Sequence, residues 1–170
     1  AGSTVSLYTY TNADEVELFL NGKSLGRKSK AEDVFHVFWR VPYERGILKA
    51  ISYKNGKEIL TREIKTTGEP VSIRLTADRQ TIKADGKDLS FITVEALDSE
   101  GNIVPVADNL INFAIEGSGI IAGTDNGDAT DSVSLKKPLR KLFSGKALVV
   151  VQAGKSGGDI VLKATSAGLK

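Results

Sequence analysis

Glu15-Val16-Glu17-Leu18-Phe19-Leu20-Asn21-Gly22-Lys23-Ser24-Leu25-Gly26 is the stretch that decides the fold. Its first six residues alternate, with Val16, Leu18 and Leu20 on one side and Glu15, Glu17 and Phe19 on the other. Such period-two alternation belongs to a strand with one buried face, because successive side chains of a pleated strand point to opposite faces. Asn21-Gly22 then turns the chain. Asn-Gly favours a two-residue hairpin because both central residues take positive φ.

The same signals recur outward from this stretch. Phe35, Val37, Trp39 and Val41 share one parity, with His36, Phe38 and Arg40 opposite. Strands are expected near Val5–Tyr10 and Leu25–Lys28, over Gly46–Tyr53 and, past Asn55-Gly56, over Lys57–Thr66. Thr67-Gly68-Glu69-Pro70 breaks the pattern, since Pro cannot donate to a ladder and Gly weakens a strand. Beyond it, Val71-Ile73-Leu75-Ala77 and Ile92-Val94-Ala96 read as inward faces. Ile82–Ala84, Ile111-Phe113-Ile115, Ala147–Val151 and Ile160-Leu162-Ala164 read as further strands. Asp85-Gly86 and Asn126-Gly127 add turn signals. Val, Ile and Thr supply 39 of 170 residues, and these β-branched types suit pleated surfaces. No window carries the i, i+3, i+4, i+7 pattern of a helix, and residues 31–34 are too few for more than a turn. The expectation is an all-β chain of two tandem immunoglobulin-like β-sandwiches, residues 1–68 and 69–170.

Composition narrows function. The net charge of +2 gives little support to nucleic-acid binding. Residues 1–68 carry +3 and residues 69–170 carry −1, a difference too small to steer a partner. The absence of Cys excludes disulfides, a thiol nucleophile and thiolate metal sites. No apolar run approaches the roughly 18 residues of a membrane span, and no signal segment is present, so a soluble chain without membrane insertion is expected. The chain opens Ala1-Gly2-Ser3 without Met, as expected of a piece of a larger protein.

Candidate chemistry is sparse. Nucleophilic catalysis by Ser needs an oriented base, and His36, the only histidine, reads as a surface residue of a strand. Glu15 and Glu17 share a face about 6.8 Å apart by strand rise. Carboxylate pairs that cleave glycosides stand about 5–5.5 Å or about 6.5–9.5 Å apart. This pair, however, faces away from the apolar side, and no burial is expected that would raise one pKa, so it reads as solvated. Asp125, Asp128 and Asp131 are weak candidates for a cation. They lack calcium-loop spacing and a closing bidentate Glu, and an Asx-rich turn is the simpler reading. Gly117-Ser118-Gly119 and Gly157-Gly158 have no helix behind them to cradle a phosphate. Lys136-Lys137 with Arg140-Lys141 reads as a solvated basic loop. No metal, cofactor or catalytic residue is assigned. Leu18, Val37, Trp39, Phe113 and Val149 are expected in the cores. Phe19 and Phe38 point away from the apolar faces of their strands and are the interface candidates.

Several runs carry a resemblance. Asp14 to Gly26, Trp39-x-Val41-Pro42-Tyr43, Gly46-x-Leu48-Lys49-Ala50 and Asn55-Gly56-Lys57 resemble the domain that follows the catalytic barrel in bacterial, β-galactosidase-like members of glycoside hydrolase family 2. Leu75 to Arg79, Ala84-Asp85-Gly86, Asp88-Leu89-Ser90, Val94-Glu95-Ala96, Gly119 to Asp128 and Gly145 to Val149 resemble the next domain of those enzymes. That domain is also similar to invasin-type bacterial immunoglobulin-like modules. The resemblance implies a C-terminal accessory fragment whose partners are the catalytic and other domains of its parent, with possible carbohydrate contact. It implies a periplasmic or extracellular location. It transfers no catalytic residue, because the family's acid and nucleophile lie in a (β/α)₈ barrel and a barrel needs about 200 residues or more. Two alternatives stand beside it. One is a carbohydrate-binding module using Tyr8, Tyr10, Tyr43, Tyr53 or the outward Phe residues. The other is a surface-adhesion module, which the unlike halves disfavour.

Overall fold

The computed structural model describes residues 3–32 and 34–170; Ala1, Gly2 and Asp33 of the segments considered above lie outside them. The described residues form strands, turns and loops without a helix. Backbone contacts divide the chain into two compact units, Ala1–Thr66 and Thr67–Lys170.

The first unit holds β1 (Thr4–Tyr10), β2 (Glu15–Leu20), β3 (Lys23–Ser29), β4 (His36–Pro42), β5 (Ile47–Lys54) and β6 (Lys57–Lys65). One sheet runs β3-β2-β5-β6 and a second pairs β1 with β4. The alternation in β2 and β4 sets the core. Val16 and Leu18 meet Val37, Trp39 and Val41, with Val5, Leu7, Leu25, Leu48 and Ala50 packed around them. Trp39 is 3% exposed. Asn21 and Gly22 take φ of 51° and 80°, and Asn55 and Gly56 take 50° and 74°, so both dipeptides form the turns their chemistry favours. Asn21 has a second task. Its Oδ1 accepts from Ile47 N–H at 2.9 Å and its Nδ2 donates to the Arg45 carbonyl at 3.0 Å. A Cβ on Gly46 would stand 1.7 Å from Asn21 Oδ1, so only glycine fits there.

The second unit holds β7 (Ser72–Ala77), β8 (Leu89–Leu97), β9 (Leu110–Gly117), β10 (Gly119–Asp125), β11 (Leu139–Lys141), β12 (Lys146–Ala153) and β13 (Ile160–Thr165). The sheets are β10-β12-β8-β7 and β11-β9-β13. Ile92, Val94, Ala96, Ile111, Phe113, Ala147, Val149 and Val151 interleave between them. Val149 is fully buried and Phe113 is 6% exposed. This core is larger than the first, as the longer chain allows.

Four readings are corrected. Phe35 does not join the core face of β4. It sits in the bend before that strand and is 79% exposed, because the ladder begins only at His36. Ile82–Ala84 is loop: Asp88 accepts the Lys83 N–H at 2.8 Å, giving that backbone a side-chain partner instead of a strand. Val71 and Ala77 are exposed, the first lying just before β7 and the second at its last position. Asp85-Gly86 and Asn126-Gly127 are not hairpin turns. Only their glycines have positive φ, and each aspartate or asparagine caps local N–H groups. The tight turn between β11 and β12, which belong to different sheets, instead uses Ser144-Gly145, with φ of 51° and 76°, closed by the Phe143–Lys146 bridge.

The unit of 66 residues rests on few side chains, so Trp39→Ala should cost about 3–5 kcal/mol, comparable to the entire stability of so small a domain. Two-dimensional amide NMR is expected to show collapse of dispersed resonances from residues 3–66.

Candidate interaction surface

Where the end of β1 meets the start of β4 the outward residues carry rings. Register pairs Tyr8 with Phe38 and Tyr10 with His36. The Tyr8 ring lies 5.0 Å from Phe38 and 5.2 Å from His36, and Tyr10 lies 5.6 Å from His36. Arg40 stands over Phe38 at 6.0 Å. Tyr8 is 54% exposed and Tyr10 75%, while Phe38 and His36 are half-buried by their neighbours. His36 therefore belongs to a ring cluster. The patch was only partly visible in the sequence. Phe38 stood out by parity, but its cross-strand pairing with Tyr8 needs the register.

A second surface lies on β6. Cross-strand pairing puts Leu60 beside Ser52 and Ile64 beside Leu48, and β5 in turn aligns Ser52 with Val16 and Leu48 with Leu20. Leu60 and Ile64 thus share the face that carries the core, yet they are 47% and 69% exposed. The β1-β4 pair covers β2 and its neighbours and stops short of β6.

The Glu15–Glu17 face is occupied by its own partners. Arg27 pairs with Glu15 and sits 3.6 Å over the Tyr53 ring. Glu17 accepts from the Ser24 hydroxyl at 2.6 Å and the Tyr53 hydroxyl at 3.3 Å. Partial burial, and then the Glu17 carboxylate beside it, hold the Tyr53 phenol above its ordinary pKa. Phe19, the other interface candidate, lies half-buried on this face with Lys49 5.1 Å above its ring. Tyr53 is engaged in this network, and Tyr43 is 50% exposed.

The acidic loop after β10 is built around a cation the chain supplies itself. Arg140 is 1% exposed, which corrects the reading of 136–141 as a wholly solvated basic loop. Its Nη1 donates to Asp131 at 2.8 Å and to the Val133 carbonyl at 3.1 Å. Its Nη2 donates to the carbonyls of Thr124 at 3.1 Å and Ser134 at 3.0 Å. That fork geometry is what a guanidinium offers and an ammonium does not. Arg140, with help from the Val133 N–H, holds the Asp131 carboxyl below the usual range. Asp125 caps the N–H groups of Asn126 and Gly127, and Asp128 accepts from the Thr130 N–H and hydroxyl. These are Asx turns. Among the described residues, no three His, Cys, Asp or Glu side chains are grouped to hold a metal. A lone arginine in a basic run gives no sequence signal of burial.

Asp98 organises the start of the second unit. It accepts from the N–H groups of Gly68, Glu100 and Asn102 at 2.9–3.0 Å. These donors, Gly68 foremost, hold its pKa down to about 2 against the opposing effect of its burial.

The comparisons with known proteins bear on these surfaces. Residues 73–170 match the family described as glycoside hydrolase family 2 C-terminal domain 5. The chain belongs to that family. Residues 2–60 match a domain of unknown function, DUF4982. A β-galactosidase of Bacteroides ovatus is 51% identical over 170 residues, which is 99% of this chain and 20% of that protein. A solved family 2 glycosyl hydrolase of Bacteroides cellulosilyticus superposes with a TM-score of 0.97 at 42% identity, covering 99% of this chain and 23% of that one. A β-glycosidase of Bacteroides vulgatus gives 0.93 at 31% identity, with 99% and 22% covered. The chain thus spans about a fifth of the length of the relatives it matches. The all-β fold of the family 2 accessory domains is the fold found here. Among the described residues no helix is long and apolar enough to cross a membrane.

Two consequences can be measured. Arg140→Ala strands Asp131 and three carbonyl groups, so urea unfolding of the second unit should lose on the order of 3 kcal/mol. The Asp98 carboxylate is preferred by the folded state, so its contribution is complete above 3.8, the ordinary aspartate value. It is lost as pH falls from there to about 2. Acid titration followed by circular dichroism should show this loss, and Asp98→Asn should remove that part of the pH dependence.

Proposed function

We propose that the chain is a non-catalytic accessory module of a larger family 2 glycoside hydrolase, β-galactosidase-like in activity, whose surfaces pack against other domains or subunits of that enzyme. The observation that carries this is length: a segment equal to about a fifth of its relatives matches them over nearly its whole extent. A (β/α)₈ barrel needs about 200 residues or more, and this chain is filled by two sandwiches. The carboxylates that sequence spacing offered are engaged otherwise, Glu15 by Arg27 and Glu17 by Ser24 and Tyr53.

The packing surfaces are the aromatic patch of Tyr8, Tyr10 and Phe38, Phe19 on the opposite sheet, and the uncovered Leu60 and Ile64. Aromatic and aliphatic side chains exposed together are what an interface core uses. Such enzymes fit a periplasmic or extracellular setting. A second reading has one support: Tyr8 and Tyr10 are open enough to stack on a sugar ring, which would make the first unit a carbohydrate-binding module.

The purified chain should not hydrolyse aryl β-galactosides. Hydrolysis that vanished when one of its own glutamates became Gln would refute the proposal. In the structure of the longer enzyme Phe19 or Phe38 should be covered, and exposure of both would remove the interface role. Titration with galactosides separates the two readings, since saturable binding lost in Tyr10→Ala would favour the sugar platform.

A further inference from the structure

The second unit has a groove between two strands that end their sheets. β7 closes the row β10-β12-β8-β7 and β13 closes β11-β9-β13. Between them lies a cleft of about 700 Å³, floored by Leu75, Ile92, Val151, Ile160 and Leu162 and bounded at one end by Ile82. A sheet edge presents a row of unpaired N–H and C=O groups and is a template for another strand. In β7 these groups can be assigned. Asp78 N–H bonds to the Phe91 carbonyl of β8, whereas Ile73 N–H bonds on the other side, to the carbonyl of Lys170. By alternation Leu75 and Ala77 also direct their backbone groups away from β8 and into the groove.

Lys170 supplies the direction. Its N–H donates to the Val71 carbonyl at 3.0 Å while its carbonyl accepts from Ile73 N–H at 2.8 Å. That reciprocal pair, spanning residues 71 and 73, is the bonding of a parallel neighbour opposite Ser72. Just before it, Leu169 N–H bonds to the Ser166 carbonyl at 3.3 Å, and Gly168 takes φ of 77°. The chain leaving β13 has therefore reversed and begun to run back beside that strand, antiparallel to it and parallel to β7. The groove opens where the pairing by Lys170 stops.

We infer that this groove is the seat of an eighth strand of the unit, and that its occupant is polypeptide running on from Lys170 in a longer chain. From the register, about five residues would carry it to the level of Ala77 on one side and Ile160 on the other. Alternate residues of that strand would face Leu75, Leu162 and Ile92, so they are apolar. The outward ones have no such constraint. The strand extends both sheets at once and removes both exposed edges. Arg79, Gln80, Thr81, Ser90 and Asp159 also line the cleft, but the hydrogen-bonding groups left along its β7 edge form a backbone row, which a strand satisfies and a small polar ligand does not.

The inference rests on the chain being part of a longer polypeptide. Its test is read on this chain alone, so a negative result leaves that assignment untouched. Eight residues of alternating Val and Thr are joined to Lys170, and a Gly/Ser extension of equal length is the control. The Val/Thr extension should raise the urea midpoint of the second unit. It should also slow hydrogen exchange at the amides of Leu75 and Ala77 at least tenfold, with protection appearing along β13. The Gly/Ser extension should do neither. Equal exchange and equal midpoints in the two extended proteins would overturn the proposal. So would protection by the same Val/Thr peptide added in trans when the attached copy gives none, because the occupant would then be a separate chain.

Discussion

A β-sheet is stable in water only where something covers its apolar face and its edges, and the chain meets that demand unevenly. In the first unit, two strands lie over a sheet of four. Val16, Leu18 and Trp39 are buried where the layers overlap, and Ile64 on the same face is 69% exposed where they do not. In the second unit Val94, Val104, Ile111 and Val149 are fully buried between the sheets, and it is at the edges that strands lack neighbours, β7 and β13 flanking a groove among them. The places where cover is missing are the surfaces open to a partner, because a domain that exposes such groups is shaped to meet something else.

The polar interior follows the same logic of completion. Arg140 is buried with nearly all of its fork engaged by Asp131 and the carbonyls of Thr124, Val133 and Ser134. Two of those carbonyls, Val133 and Ser134, belong to the long connection between β10 and β11, and the guanidinium ties them to Thr124 at the end of β10. Asp98 does the converse work for N–H groups at the entrance to the unit. Both residues sit among polar neighbours in a manner that suggests ligand chemistry until their partners are traced, after which they account for loop conformation.

What was legible in the sequence was whatever depends on local periodicity. The alternation in Val16-Leu18 and Val37-Trp39-Val41 placed the first core, and Asn21-Gly22 and Asn55-Gly56 placed two hairpins, since each of these is decided within a few residues. What depends on long-range pairing was not legible. Phe35 continues the parity of Val37, but the partner strand ends at Tyr10, opposite His36, and beyond the ladder parity has no meaning. Tyr8 and Phe38 lie thirty residues apart and become one patch only through register. Arg140 in a Lys-Lys-Pro-Leu-Arg-Lys run looks like surface, because burial of a guanidinium is set by carbonyls from other segments.

That distinction also bears on how an accessory domain is recognised. Catalytic sites announce themselves by residue type, through His, Cys and paired carboxylates with perturbed environments. A packing module has no such vocabulary, and its business is done by ordinary aliphatic and aromatic side chains in the wrong place. Ile64 is unremarkable in sequence and informative at 69% exposure on a core face. Lys170 is likewise an unremarkable lysine until its backbone is found bonded to both Val71 and Ile73. For a chain of this kind the useful question is which backbone groups and apolar faces remain without partners. Here they lie along β7 and β13 and on the core face of β6.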